Sequence, residues 1–443
     1  PEAAMSYVAY FAKGAKAAQR PVTFLFNGGP GSSTVWLHMG AFGPRRVVTA
    51  DHTHTRPAPY RLSENHQSLL DASDLVFVDA PGTGFGRMAG KDKEKAFWGI
   101  DQDARAFAEF IRSFLTRHHR WNSPKFLFGE SYGTTRAAVL SNLLQSEYSI
   151  DLNGVIMLSQ ILNFTLSIDG PEANPGVGLA YALALPSFAA TAWYHHKLPE
   201  QPGSLEDLLS KAEAFAMGPY LTALAKGAAL PAAEKKRIAE QLHRFTGLPV
   251  DFLLKANLRV SGGVFEHALL GDEESTTGRL DARFAGPTMD PLAKEAHYDP
   301  MSAAISSAYV SAYNEYARDV LGFPADRSFQ PFARVFPKWE FKHRAPGQRF
   351  AFPGILNVMP DMAAALITNP DLKVLVTGGY FDLGTTFAAS RYEMQHLPMP
   401  ERLQKNISYR YYESGHMIYL HEPALKALHD DVAAFIEKAA EGR

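Results

Sequence analysis

The segment Gly129-Glu130-Ser131-Tyr132-Gly133 directly follows the apolar run Phe126-Leu127-Phe128. That order places a serine on a sharp strand-to-helix turn, with its hydroxyl standing clear of its own backbone. Glycines at both second neighbours suit a strained turn whose helix packs close. The bare pattern G-x-S-x-G is only moderately specific, so its context decides. Thr134 to Gln145 is rich in Ala, Leu and Val and reads as a helix, which completes a strand–elbow–helix unit.

A chain of 443 residues with 46% hydrophobic content has material for one large domain with an insertion, or for two domains. Forty-four basic residues against 46 acidic ones leave a net charge of −2, with no electrostatic footprint for nucleic acid or an anionic membrane. The absence of cysteine excludes disulfides, thiolate metal sites and a thiol nucleophile, and leaves the compartment open. The longest apolar stretch, Val177 to Trp193, is interrupted by Gly178 and Pro186, so it is a poor membrane span and reads as a buried or lid helix pair. No signal sequence opens the chain, whose start reads as processed or truncated. Met5 to Phe11 resembles a strand, and the charge runs Lys91 to Lys95 and Glu234 to Arg237 read as solvated faces.

Val22 to Phe26, Leu75 to Val78, Lys125 to Phe128 and Val155 to Leu158 read as buried parallel strands, and Asp101 to Arg117 has helical periodicity. From about residue 165 to about 355 Ala-rich helical segments dominate, including Leu205 to Lys226, Ala232 to Phe245 and Met301 to Val320, and no strand is expected there. Strand character returns at Lys373 to Thr377 and Ile407 to Tyr412, before a closing helix from Glu422 to Ala440. The pattern predicts an α/β fold with a mostly parallel central sheet, residues 1–164 and 356–443 forming the core and 165–355 a mostly helical lid insertion.

A second motif, Asn27-Gly28-Gly29-Pro30-Gly31-Ser32-Ser33, follows the strand Val22 to Phe26. A phosphate loop does not fit, since no Gly-Lys-Ser/Thr follows and the glycine spacing matches no dinucleotide fingerprint. In an α/β-hydrolase such a loop supplies one oxyanion donor and the residue after the nucleophile supplies the other, which assigns the Gly29 and Tyr132 N–H groups, since Pro30 cannot donate. A serine nucleophile needs a histidine base, and the base needs an acid to fix its tautomer, in the chain order Ser, acid, His. Asp382 follows the strand Lys373 to Thr377, and His416, in Ser414-Gly415-His416-Met417, follows the next strand. The Gly-His pair raises His416 above His396, His421 and His429.

Asn-Gly-Gly-Pro-Gly, Gly-Glu-Ser-Tyr, an aspartate after a glycine-containing strand end and Gly-His-Met, in this order, resemble the serine carboxypeptidases of the α/β-hydrolase fold, specifically their cysteine-free bacterial branch. Asn65 to Asp79, Pro81 to Gly86 and Leu152 to Val155 extend the likeness. The resemblance implies an exopeptidase that removes a C-terminal residue through an acyl-enzyme on Ser131, with His416 and Asp382. It further implies that Asn27 and Glu130 bind the substrate's free carboxylate, which requires a raised Glu130 pKa; a plainer role is an elbow carboxylate paired with a nearby Lys or Arg. Departures from the family pattern are Leu25, Ala41 in place of an acidic residue, Thr134-Thr135-Arg136 after the elbow, Tyr380 and Tyr419. Arg136 reads as structural rather than as a carboxylate ligand.

His118-His119 and His195-His196 lack a third ligand at metal spacing. Trp193, Tyr194, Phe215 and Tyr220 read as packing of insertion helices rather than as a substrate cleft. The expectation is a serine-type carboxypeptidase without metal or cofactor, acting on peptides with a free C-terminal carboxylate, with no nucleic-acid or membrane partner. A periplasmic or secreted location follows from the family alone. An esterase or acyltransferase with the same triad is the alternative, and a non-catalytic binding protein of the same fold is a third reading.

Overall fold

The computed structural model describes residues 1–201, 203–351 and 356–441. Seven strands form the central sheet: β1 (Tyr7–Tyr10), β2 (Val22–Phe26), β3 (Asp74–Val78), β4 (Lys125–Glu130), β5 (Gly154–Leu158), β6 (Lys373–Gly379) and β7 (Ile407–Tyr412). Their spatial order is β7-β6-β5-β4-β2-β3-β1, parallel throughout except that β1 runs antiparallel on β3. Every residue of β2, β3 and β5 is buried. That is why these strands read as continuous apolar runs rather than as alternating ones.

Because side chains alternate across a sheet, each strand feeds two cores. Phe24, Phe26, Leu127, Val155 and Val376 pack on one face with helices α1 (Ile100–Arg117) and α2 (Tyr132–Tyr148). Leu25, Phe126, Phe128, Ile156 and Leu375 pack on the other. In α1 the positions Ala104, Phe107, Ala108, Ile111, Phe114 and Leu115 form one buried stripe, and Asp101 and Asp103 lie in the first turn, where the helix dipole favours acids.

Three local expectations need correction. Val177 to Trp193 is not a helix pair but one helix, α3 (Leu179–Tyr194), which carries Pro186 in its interior; thirteen of its sixteen residues are buried, and that packing outweighs the missing backbone donor. Leu205 to Lys226 is broken into helices Leu205–Phe215 and Leu221–Lys226 by a π-helical turn containing Pro219. A short antiparallel hairpin, Ser275–Thr277 with Ala285–Pro287, lies where no strand was expected, since three-residue strands leave almost no periodic trace.

The region 165–355 divides physically. α3 and the helices after it bury a cluster of their own, closed by Phe381 and Leu383 from the loop after β6 and by Phe387 at the start of the next helix, Phe387–Gln395. Helix α4 (Pro300–Asp319) instead lays Met301, Ile305, Tyr309 and Tyr313 into the second core of the sheet. The expected boundary at 355 falls outside the described residues. Trp193, Tyr194, Phe215 and Tyr220 belong to the insertion's own cluster, with Phe215 stacked on Tyr220 at 6.0 Å. Among the described residues no helix is long and apolar enough to cross a membrane.

One buried ion pair ties these layers to the glycine loop. Arg136 on α2 donates through Nε to Asp103 of α1 at 2.6 Å and through Nη1 to the Asn27 carbonyl at 2.8 Å, while its guanidinium lies 4.4 Å from the Phe107 ring centre. Arg136 is therefore structural. Burial pushes the Asp103 carboxyl up against the opposing pull of Arg136, so an unpaired Asp103 is a costly group. Arg136→Met should destabilise the protein by about 3–5 kcal/mol, and adding Asp103→Leu should recover much of that loss. Urea unfolding of the three proteins measures this, and an unchanged midpoint in Arg136→Met would refute it.

Candidate active site

Ser131 stands between the end of β4 and the start of α2 with φ 61° and ψ −129°. A positive φ is unusual for a serine, and such strain is found where a side chain must be presented outward. Its N–H donates to the Leu158 carbonyl at 2.9 Å, and its carbonyl accepts from the Thr134 N–H at 2.8 Å, so the turn is held from both sides. Tyr132 is the first residue of α2, where backbone N–H groups have no intrahelical acceptor.

The glycine loop meets this turn backbone to backbone. A Cβ on Gly28 would stand 2.4 Å from the Tyr132 nitrogen, and Gly29 next to it has φ 106°. The loop is clamped from outside by a strap: Ser33 N–H donates to the Pro331 carbonyl at 2.9 Å and Ala333 N–H to the Gly31 carbonyl at 2.8 Å. The strap ends at His343, which is held between Asp101 and Asp361 by contacts of 2.7 Å at each ring nitrogen.

Asp382 is fully buried in the loop after β6. Its Oδ1 accepts from the Gly384 and Thr385 N–H groups at 2.9 Å each, and its Oδ2 lies 2.7 Å from His416 Nδ1. This contact assigns the Nδ1 proton to the Asp382 side and leaves Nε2 for the cavity. Burial pulls the His416 pKa down, but the charge and hydrogen bond of Asp382 and the charge of Glu130 outweigh it, and the net shift is upward. The His416 backbone is tied to Leu280 of the insertion (2.6 Å, N–H to carbonyl) and accepts from Ser159 Oγ at 2.7 Å. A Cβ on Gly415 would stand 2.4 Å from Asp281 Cβ, so the Gly-His pair reflects the hairpin packed against this turn.

Ser131, His416, Asn27, Gly29 and Glu130 line one cavity of about 220 Å³. Among the described residues no hydrogen bond joins Ser131 Oγ to His416 Nε2; the two share the cavity wall, as is common before a substrate tightens such a contact. Among the described residues no Lys or Arg is one of the groups that shift the Glu130 carboxyl. It accepts from Tyr419 Oη at 2.9 Å, a residue noted in the sequence only as a departure. Burial raises the Glu130 carboxyl to about 7, against the lowering pull of the His416 charge, the Tyr419 hydroxyl and the Asn27 side chain. Ala41 lies buried in a π-helical turn, Leu37–Phe42, that the sequence did not reveal.

Arg279, next to the hairpin, also lines the cavity and was missed. Nothing in its local sequence separates it from other arginines. Among the described residues no three His, Cys, Asp or Glu side chains group as a metal site, and His195 bonds to the Ala282 carbonyl.

The model of the serine carboxypeptidase family matches residues 2–169. The resemblance read from the motifs is borne out, although Asp382 and His416 lie beyond the matched segment and rest on geometry. A stretch of 118 residues, 26% of this chain, is 33% identical to the pheromone-processing carboxypeptidase KEX1 of Cryptococcus gattii, of whose length it spans only 16%. The prohormone-processing carboxypeptidase Kex1(delta)p of Saccharomyces cerevisiae shares the fold, with a TM-score of 0.56 and 14% identity over 98% of this chain and 91% of that one. Proline iminopeptidase of Mycobacterium smegmatis is similar at a TM-score of 0.42 and 12% identity, over 98% of this chain and 95% of that one. The fold is that of the α/β-hydrolases.

Two outcomes follow from how the glycine loop is held. Gly28→Ala, whose Cβ would press on the Tyr132 nitrogen at 2.4 Å, should lower the urea midpoint and, in the protein that stays folded, lower kcat by about 10²-fold or more, because moving one oxyanion donor carries that cost; unchanged kcat in a folded variant would exclude the loop from the reaction. Burial alone would lower the His343 pKa, but the hydrogen bonds and charges of Asp101 and Asp361 raise it to about 9. A raised pKa means a contribution fully present below the ordinary 6.5 and lost as pH rises through about 9. The difference in urea midpoint between the native protein and His343→Gln should shrink across that window, and a constant difference would contradict it.

Proposed function

We propose that the protein is a serine-type carboxypeptidase that releases the C-terminal residue of peptides through an acyl-enzyme. Ser131 Oγ attacks the scissile carbonyl while His416 Nε2 takes its proton. Asp382 stabilises the imidazolium, and the Gly29 and Tyr132 N–H groups receive the developing oxyanion. His416 then protonates the departing amino group. Water attacks the acyl-enzyme by the same route in reverse.

The observation that carries this reading over an esterase is the near-neutral Glu130, buried beside Asn27 in the cavity that Ser131 opens into. A protonated carboxyl donates a hydrogen bond to a substrate carboxylate, whereas an ionised one repels it. Below about 7 Glu130 holds its proton, and above that value the clamp loses its donor and gains a like charge.

For an N-blocked dipeptide acid, KM should therefore rise as pH climbs through about 7, approaching about tenfold per further pH unit, the limit for loss of one proton. The methyl ester of the same dipeptide, which lacks the carboxylate, should show no such rise, and Glu130→Gln should flatten the profile. A KM for the acid that is level on both sides of that pH would overturn the role of Glu130. Ser131→Ala should abolish both hydrolysis and labelling by a fluorophosphonate; labelling that persists would remove Ser131 as nucleophile.

A further inference from the structure

Glu130, His416 and Arg279 are the titratable side chains among the described residues lining the cavity, and Arg279 is the permanent cation of the three. It sits at the mouth, with its side chain 40% exposed. Its backbone is fixed on both sides: the N–H donates to Asp299 Oδ1 at 3.0 Å, and the carbonyl accepts from the Leu383 N–H at 3.0 Å. Leu383 directly follows Asp382, so the cation is anchored to the same loop as the acid.

The guanidinium is oriented rather than saturated. Nε donates to Asp169 Oδ2 at 3.0 Å and Nη2 donates to the same oxygen, while Nη1 lies outside that pair. Nη1 rests over Gly384, where a Cβ would stand 3.1 Å from it. Gly384 is also the residue whose N–H holds Asp382 Oδ1. Arg279 thus lines the cavity that contains Asn27 and Glu130 as a positioned cation whose Nη1 stays outside the Asp169 pair.

With a volume of about 220 Å³ the cavity is smaller than the roughly 300–1,000 Å³ of sites for drug-sized ligands, and it suits a single amino-acid residue. If Asn27 and Glu130 hold the terminal carboxylate, the side chain of that same residue shares the space with Arg279. Trp36, Met301, Ile305 and Phe332 give it an apolar wall for methylene groups. A wholly apolar side chain would strip water from Nη1 and return no hydrogen bond, which is unfavourable for a charged donor. A side chain that ends in a carboxylate would complete the guanidinium.

We propose that Arg279 makes the leaving-residue site selective for peptides ending in Glu or Asp, whose side-chain carboxylate it receives through Nη1. The proposal rests on the carboxypeptidase reading and goes beyond it by naming the substrate class. The test compares N-blocked dipeptides ending in Glu, Gln and Leu, with the α-methyl ester of the Gln substrate as a fourth arm. These are assayed on the native protein, Arg279→Gln and Arg279→Lys, with thermal unfolding of each as a check on the fold. The native protein should favour Glu over Gln in kcat/KM, mainly through KM. Arg279→Gln should lower that Glu-to-Gln ratio by about tenfold or more, the scale of a hydrogen bond to a charged group, and Arg279→Lys should restore part of it.

No preference for Glu in the native protein, or a ratio that Arg279→Gln leaves unchanged, overturns the proposal. An equal loss on the Glu and Gln acids with the ester spared moves Arg279 to the terminal carboxylate, and an equal loss on all four substrates makes it structural; either overturns the assignment while the carboxypeptidase reading stands. Should the native protein cleave none of the three dipeptide acids, the carboxypeptidase reading itself fails and takes this inference with it.

Discussion

The glycine loop meets the serine turn backbone to backbone, with room for no Cβ at Gly28, and the geometry of the site depends on that approach. The Gly28 Cα approaches the Tyr132 nitrogen so nearly that no side chain fits between them. Two N–H groups can then converge on one point only if both loops are held rigidly from outside. Arg136 does this from beneath, by bonding the Asn27 carbonyl, and the strap at Pro331 and Ala333 does it from above. The buried ion pair and the strap are therefore understood best as supports for a backbone geometry that no side chain in the site enforces directly.

The electrostatics of the cavity follow from burial. Two N–H groups and the Thr385 hydroxyl point at Asp382, whereas Glu130 receives little beyond Tyr419 and Asn27, and burial raises its carboxyl to about 7. Two carboxyls near one small site thus come to differ in surroundings, and so in chemistry: one holds an imidazole through Nδ1, the other, when protonated, can donate a hydrogen bond. His416 links the two: its charge pulls the Glu130 carboxyl down, and the charges of Asp382 and Glu130 raise the imidazole.

The insertion is not a separate cover. Its hairpin segment bonds to His416 through Leu280 and to the acid loop through Arg279, and helix α4 fills the second core of the sheet. Loops from chain positions near 130, 280, 382 and 416 are stitched into one unit, so a displacement of the hairpin would move the base and its acid together. That coupling explains why a glycine precedes His416: the hairpin occupies the space a side chain would need.

Much was legible in the sequence. A buried parallel strand is a continuous apolar run, so β2 appears there with its observed limits, as does the half-buried, tyrosine-rich edge strand β7, and the elbow and the glycine loop carry glycines whose spacing reports close backbone approach. Asp382 and His416 were readable because each follows a strand end. What stayed hidden depended on contacts between segments far apart: the passage of α3 through Pro186, the π-helical turn at Leu37–Phe42, the short hairpin, and the roles of Tyr419 and Arg279. A single tyrosine or arginine leaves no periodic signal, and its partner is set by which loops the sheet brings together. Local pattern alone determined the strands, the helices and the turn that presents Ser131; only the tertiary structure decided which side chains face that serine, because burial and charge pairing are properties of the assembled core and not of any stretch of chain.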